Sequence, residues 1–242
     1  MLHKDSYKQH ISAQFNAELE SVKNHLLEMG GLVEQQIGKA VESLLSRDSG
    51  LAEEVIAGDE QVNELEINID EECSRILARR QPAASDLRLV LAISKVTTDL
   101  ERIGDEASKI ARQAVKSVEE GGSSAGSSFV EIRHIGNHVS DMLRRSLDAF
   151  ARLDVDMAVQ TVIADREVDS EYASAMRSLV TFMMEDPRTI GPVLGQMWSL
   201  RSLERVGDHA SNIAEHVIYL VRGLDVRHVE PDDLVAQVED HP

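Results

Sequence analysis

"DLERIGDEASKIA" occupies Asp99–Ala111, and "SLERVGDHASNIA" occupies Ser202–Ala214. A match of this length within one chain is the mark of a duplicated unit. Apolar residues run through both copies at alternating steps of four and three. In the first they are Leu89, Ile93, Val96, Leu100, Ile103, Ala107, Ile110 and Ala114; in the second, Leu203, Val206, Ala210, Ile213, Val217 and Leu220. A near-3.5 period places them in one stripe along a helix, the seam of a helix packed lengthwise on other helices.

Working outward, the punctuation marks two further helices before each copy. The first half reads as helices over about Ser12–Leu45, with a kink at Gly30-Gly31, then Leu51–Arg80 and a third running to Val118. "RDSG" ends the first. "QPAASD" ends the second at Pro82, with Asp86 or Ser85 as N-cap of the third. The second half reads Phe129–Arg152, Val155–Met184 and Ile190–Arg222, with "EDPRTIGP" as its stop and Gly223 just past the last helix. "GDEQVNE" (Gly58–Glu64) and "ADREVDS" (Ala164–Ser170) occupy matched places. The expected fold is therefore all-α: two tandem, duplicated, antiparallel three-helix bundles. Residues 1–118 form the first and 129–223 the second; a flexible Gly/Ser linker spans 119–128, and a loosely held acidic tail spans 224–242.

Composition agrees. The 242 residues are 42% hydrophobic but only 3% aromatic, so the core must be built from Leu, Ile, Val, Ala and Met, as in helical bundles. A net charge of −18 argues against nucleic acid as a direct ligand, since binding the phosphate backbone needs a basic surface. It admits cations and basic protein patches. With Cys73 as the only cysteine, neither an internal disulfide nor a thiolate metal cluster can form. No apolar signal segment opens the chain and no stretch is long and apolar enough to span a bilayer, which points to the cytoplasm.

The polar part of the repeat carries the chemistry. Glu101 and Asp105 stand one helical turn apart and off the seam, as do Glu204 and Asp208. Like charges at this spacing repel by a few tenths of a kcal/mol. Arg102 and Arg205 relieve part of this, and a divalent cation shared by both carboxylates would relieve more. The preceding helices add Asp59 with Asn63, and Asp165 with Asp169, again four apart. If the helices are antiparallel, each half presents three or four oxygen-bearing side chains to one groove. An all-oxygen donor set suits Mg, Mn or Fe and not structural zinc. Acids at i and i+4 are also ordinary on solvated helix faces, and descent from a duplicated ancestor would keep them without a metal.

His209, His216 and His138 read as surface or capping residues, Trp198 and Met197 as core or interface, and Cys73 as buried beside Ile69 and Ile76. Carboxylate pairs would serve a metal-dependent hydrolase of phosphoesters, yet no nucleophile elbow, phosphate-cradling glycine loop or HExxH accompanies them.

Along nearly its whole length the chain resembles the PhoU family. The resemblance rests on "HISAQFNAELE", "MGGLVEQQ", "RRQPAASDLRLV", "DLERIGD", "LDAFARLD", "FMMEDPRTI" and "SLERVGDHASNI". It implies a cytoplasmic, non-enzymatic and commonly homodimeric adaptor. Such an adaptor links the ATPase subunit of a phosphate ABC transporter to a membrane sensor histidine kinase and holds the phosphate-starvation response off when phosphate is plentiful. It also implies metal binding, by Glu101 and Asp105 with Asp59 in one half, and by Glu204 and Asp208 with Asp165 and Asp169 in the other. Asn63 stands where the second half has Asp169, which predicts that the second site is the tighter one.

Overall fold

The computed structural model describes residues 2–120 and 128–239, and the side chains of 13–120, 129–230 and 232–239. Among these residues the elements are α1 (Leu2–Ser46), α2 (Ser49–Arg80), α3 (Ala84–Glu119), α4 (Ser128–Arg152), α5 (Val155–Glu185), a 3-10 turn at Pro187–Thr189, α6 (Ile190–Arg222) and α7 (Pro231–Glu239). There is no strand among them. The chain is all-α and duplicated, as the seam implied: α1, α2 and α3 pack together, as do α4, α5 and α6. Most of the expected linker, 121–127, lies outside the described residues.

The two halves share their local chemistry. Asp48 caps α2 by accepting the Leu51 N–H at 3.0 Å, and Asp154 caps α5 by accepting the Met157 N–H at the same distance. The residue before each cap, Arg47 and Leu153, is left-handed, with φ of 60° and 56°. Gly223, at φ 71°, closes α6 by donating its N–H to the Tyr219 carbonyl. Every seam residue of α3 from Ile93 onward, and all six of α6, are buried.

Three expectations are corrected. Helix α1 runs unbroken through Gly30-Gly31. A Cβ on Gly30 would lie 2.7 Å from Leu147 Cδ2, so this glycine serves the close approach of α4 and not a kink. Neither Asp86 nor Ser85 caps α3; Ala83 does, without a side-chain bond, and Asp86 falls in the first turn, where its charge complements the helix dipole. The described part of the expected tail, 224–239, is not simply loose. It carries α7, whose Leu234 and Val238 are buried as α7 packs on α5, and Arg166 holds Asp232 at 2.7 Å.

The halves are joined through α3 and α6, which run alongside one another, and through α1 and α4. The α3–α6 contact has a buried polar strip. Asp99 accepts hydrogen bonds from His209 (2.9 Å) and Asn212 (3.3 Å), and His216 lies 3.3 Å from its other oxygen. Buried Glu106 pairs with Arg205 at 2.8 Å and Lys109 at 3.0 Å. His209 and His216 are therefore neither surface nor capping groups; they tie one half to the other.

Candidate metal centre

In the second half α5 supplies Asp165 and Asp169, and α6 supplies Glu204 and Asp208. One oxygen each from Asp169, Glu204 and Asp208 lies within 4.8 Å of the others, the spread that a single ion spans. Asp165 is coupled to the set by charge, and its Oδ1 would stand 3.2 Å from a Cβ placed on Gly207. The glycine inside the repeated motif thus makes room for the acid of the neighbouring helix. An open cleft lined by Asp165, Arg205, Asp208, His209, Ser211, Asn212 and Glu215 leads to it.

The electrostatics of this cluster are those of acids held together without enough positive charge. Burial, and then the charges of Asp208, Asp169 and Glu204, push the Asp165 carboxyl up to about 7. Burial and the neighbouring Asp208 raise Glu204, and burial and Asp169 raise Asp208. Glu204 is not the surface residue its off-seam position suggested: it is 8% exposed, and its Oε2 is buried without a hydrogen-bond partner. Its Oε1 accepts from Arg201, whose guanidinium lies 6.0 Å from the centre of the Tyr172 ring. Arg205, expected to offset the acids of its own helix turn, is bonded instead to Glu106 of α3, although its charge still acts on Asp208.

In the first half Asp59 of α2 and Asp105 of α3 act on Glu101 through their charges. Burial raises the Glu101 carboxyl, and the charges of Asp105, Glu66 and Asp59 raise it further. Asn63 is exposed. The acid that sequence reasoning missed is Glu66, raised by burial and by the charges of Asp70 and Asp105. Its signal was available: residues 59, 63, 66 and 70 share one face of α2. The face that loses a carboxylate at Asn63 thus carries one a turn further on, although among the described residues three acids converge within 4.8 Å only in the second half. Beside Asp59, the side-chain oxygen and nitrogen of buried Gln36 are both unpaired. Its Oε1 comes within 3.5 Å of the Cβ position of Gly104, where Asp59 Oδ1 comes within 3.8 Å.

Elsewhere, Cys73 is buried as expected, and burial pushes its thiol up to about 12. Trp198 is 69% exposed, so it is not core. His138 is half-buried and faces Glu171 at 3.5 Å.

The chain is thus a duplicated helical-bundle protein whose second half brings three acids together between α5 and α6. The PhoU domain family matches residues 26–114 and again 132–217. The chain is 60% identical over 241 residues to the phosphate-specific transport system accessory protein PhoU homolog of Pseudomonas aeruginosa, covering 100% of this chain and 99% of that one. It is 49% identical over 225 residues to the accessory protein PhoU of Escherichia coli K12, covering 93% and 92%. The crystal structure of PhoU from Pseudomonas aeruginosa superposes with a TM-score of 0.84 at 62% identity, over 87% of this chain and 100% of that one. That of the phosphate transport system regulatory protein PhoU from Streptococcus pneumoniae superposes with a TM-score of 0.80 at 29% identity, over 88% and 99%. The chain belongs to the PhoU family.

Proposed function

We propose that this protein is a metal-binding, non-enzymatic accessory protein of a phosphate transport system. It represses the phosphate-starvation response by linking the transporter ATPase to a membrane sensor histidine kinase. Its relatives carry the names accessory and regulatory protein of phosphate transport, which supports the physiological assignment. No helix among the described residues is long and apolar enough to cross a membrane; in this reading the protein works in the cytoplasm and meets the membrane through its partners. A homodimer fits the exposed apolar line Ile190, Leu194 and Trp198, spaced one turn apart on α6.

The observation that carries the metal reading is the convergence of Asp169, Glu204 and Asp208 around one point, with Asp165 beside them and Glu204 Oε2 unpaired. The donor set fits a hard cation, Mg, Mn or Fe, because every ligand is an oxygen. Such an ion supplies the positive charge that four crowded acids lack, and so stiffens the α5–α6 groove. In the first half Asp59, Glu66, Glu101 and Asp105 would hold its counterpart.

The test has three arms. A deletion strain should express a phosphate-responsive reporter in rich phosphate; normal repression would refute the regulatory role. Calorimetric titration with Mn2+ should show binding that Glu204→Gln with Asp208→Asn reduces at unchanged helicity; unchanged binding would return these acids to ordinary surface. Metal-loaded protein should turn over no phosphoester, and sustained turnover would replace the adaptor with a hydrolase.

A further inference from the structure

The two sets of acids occupy matched places but are not equivalent, and besides Asn63 against Asp169 they differ at two further matched pairs of positions. On α3 and α6, Thr98 corresponds to Arg201. On α2 and α5, Glu66 corresponds to Tyr172. The Thr98 hydroxyl turns back to the Ser94 carbonyl of its own helix at 3.2 Å and brings no charge to the first cluster. Arg201 instead hydrogen-bonds Glu204 directly, and its guanidinium sits over the Tyr172 ring. Where the first half places a fourth carboxylate, the second half thus places an aromatic face that holds a cation.

We propose that Arg201, seated on Tyr172, is a built-in counter-ion that sets the affinity of the second cluster for metal. The proposal rests on the metal reading above. Arg201 engages Oε1 of Glu204 and leaves the buried, unpaired Oε2 as the one oxygen free for an ion. Any entering cation therefore meets a fixed positive charge and a glutamate with one oxygen already committed. Among the described residues no cation is paired with Glu101, the matched acid. Lys109 is held by buried Glu106 at 3.0 Å and stands 3.8 Å from Asp105, and Arg102 acts on Glu101 only through its charge, not by a hydrogen bond. The first cluster takes a metal without displacing a partner of Glu101. The second takes it against Arg201, so Arg201 weakens the advantage that the Asn63/Asp169 difference gives the second cluster.

The experiment reads each cluster alone by Mn2+ calorimetry. Glu101→Gln with Asp105→Asn leaves the second cluster, and Glu204→Gln with Asp208→Asn leaves the first. In the second-cluster protein, Arg201→Gln keeps a hydrogen-bond donor but removes the charge, and should tighten Mn2+ binding about three- to tenfold. This is the effect of one charge some 6 Å away in a partly solvated groove. Arg201→Lys keeps the charge and should stay near the parent affinity, a separation that a purely structural role for Arg201 would not produce. Tyr172→Leu, which removes only the seat, should fall between them and gives the same reading should Arg201→Gln not fold. If Mn2+ binds but neither Arg201→Gln nor Tyr172→Leu tightens it, the counter-ion role is wrong. If neither cluster binds Mn2+, the metal reading fails and this inference with it.

Discussion

Replacing Asp165 by Asn should stabilise the metal-free protein near pH 8 and leave it unchanged near pH 4.5. The Asp165 carboxyl sits at about 7 in the folded protein, through burial first and then the charges of Asp208, Asp169 and Glu204. In the unfolded chain it returns to about 3.9. A raised folded value means that the folded state holds the proton more tightly. This contribution to stability is complete below about pH 4 and is lost as pH rises through about 7. Three pH units correspond to roughly 4 kcal/mol at 1.36 kcal/mol per unit. Solvent on the open side of the cleft screens the acids and neighbouring carboxylates share the proton, so about 2 kcal/mol is expected. Asn carries no charge at any pH and escapes the loss. Urea denaturation of chelator-treated protein, followed by circular dichroism at both pH values, gives the difference directly. Saturating Mn2+ should then reverse the order at pH 8, since only the wild type keeps all four acids. Parallel stability of the two proteins from pH 4.5 to 8 would refute the reasoning, as would a less stable Asn variant at pH 8.

Asp99→Ala should lower stability by about 3 kcal/mol in urea denaturation, because two buried histidines lose the carboxylate that joins α3 to α6; a loss under 1 kcal/mol would contradict the clamp. Burial alone would raise the Asp99 carboxyl, but hydrogen bonds from His209 and His216 outweigh it and hold the group at about 2. The stabilisation it provides is therefore present above about pH 4 and lost as pH falls towards 2, measurable as an acid transition missing from Asp99→Asn. Gly30→Ala should cost about 1–2 kcal/mol despite alanine's better helix propensity, since the new Cβ meets the packed Leu147 side chain. Gly195→Ala should be near neutral in thermal melts, because the atom it meets is the swinging amide end of Gln113.

The sequence alone determined the six long helices, the duplication and the faces of the acids. A stripe at steps of four and three is a local property of one helix, and so is a carboxylate pair one turn apart. A turn written as "RDSG" is equally local, and the structure places Asp48 within it as the cap of α2. Glu66 belonged to the same legible face but was hidden because its match in the second half is a tyrosine. What the tertiary structure decided is everything set between helices. Asp99, Glu106, His209 and His216 look like surface polar residues along their own helices. They are buried only because α3 and α6 lie against each other. The burial of Glu204, the opening that Gly207 leaves for Asp165 and the seating of Arg201 on Tyr172 arise the same way. Periodicity tells a helix which side to bury; it does not tell it which neighbour's charges it will meet there, and desolvation and Coulomb terms depend on that neighbour.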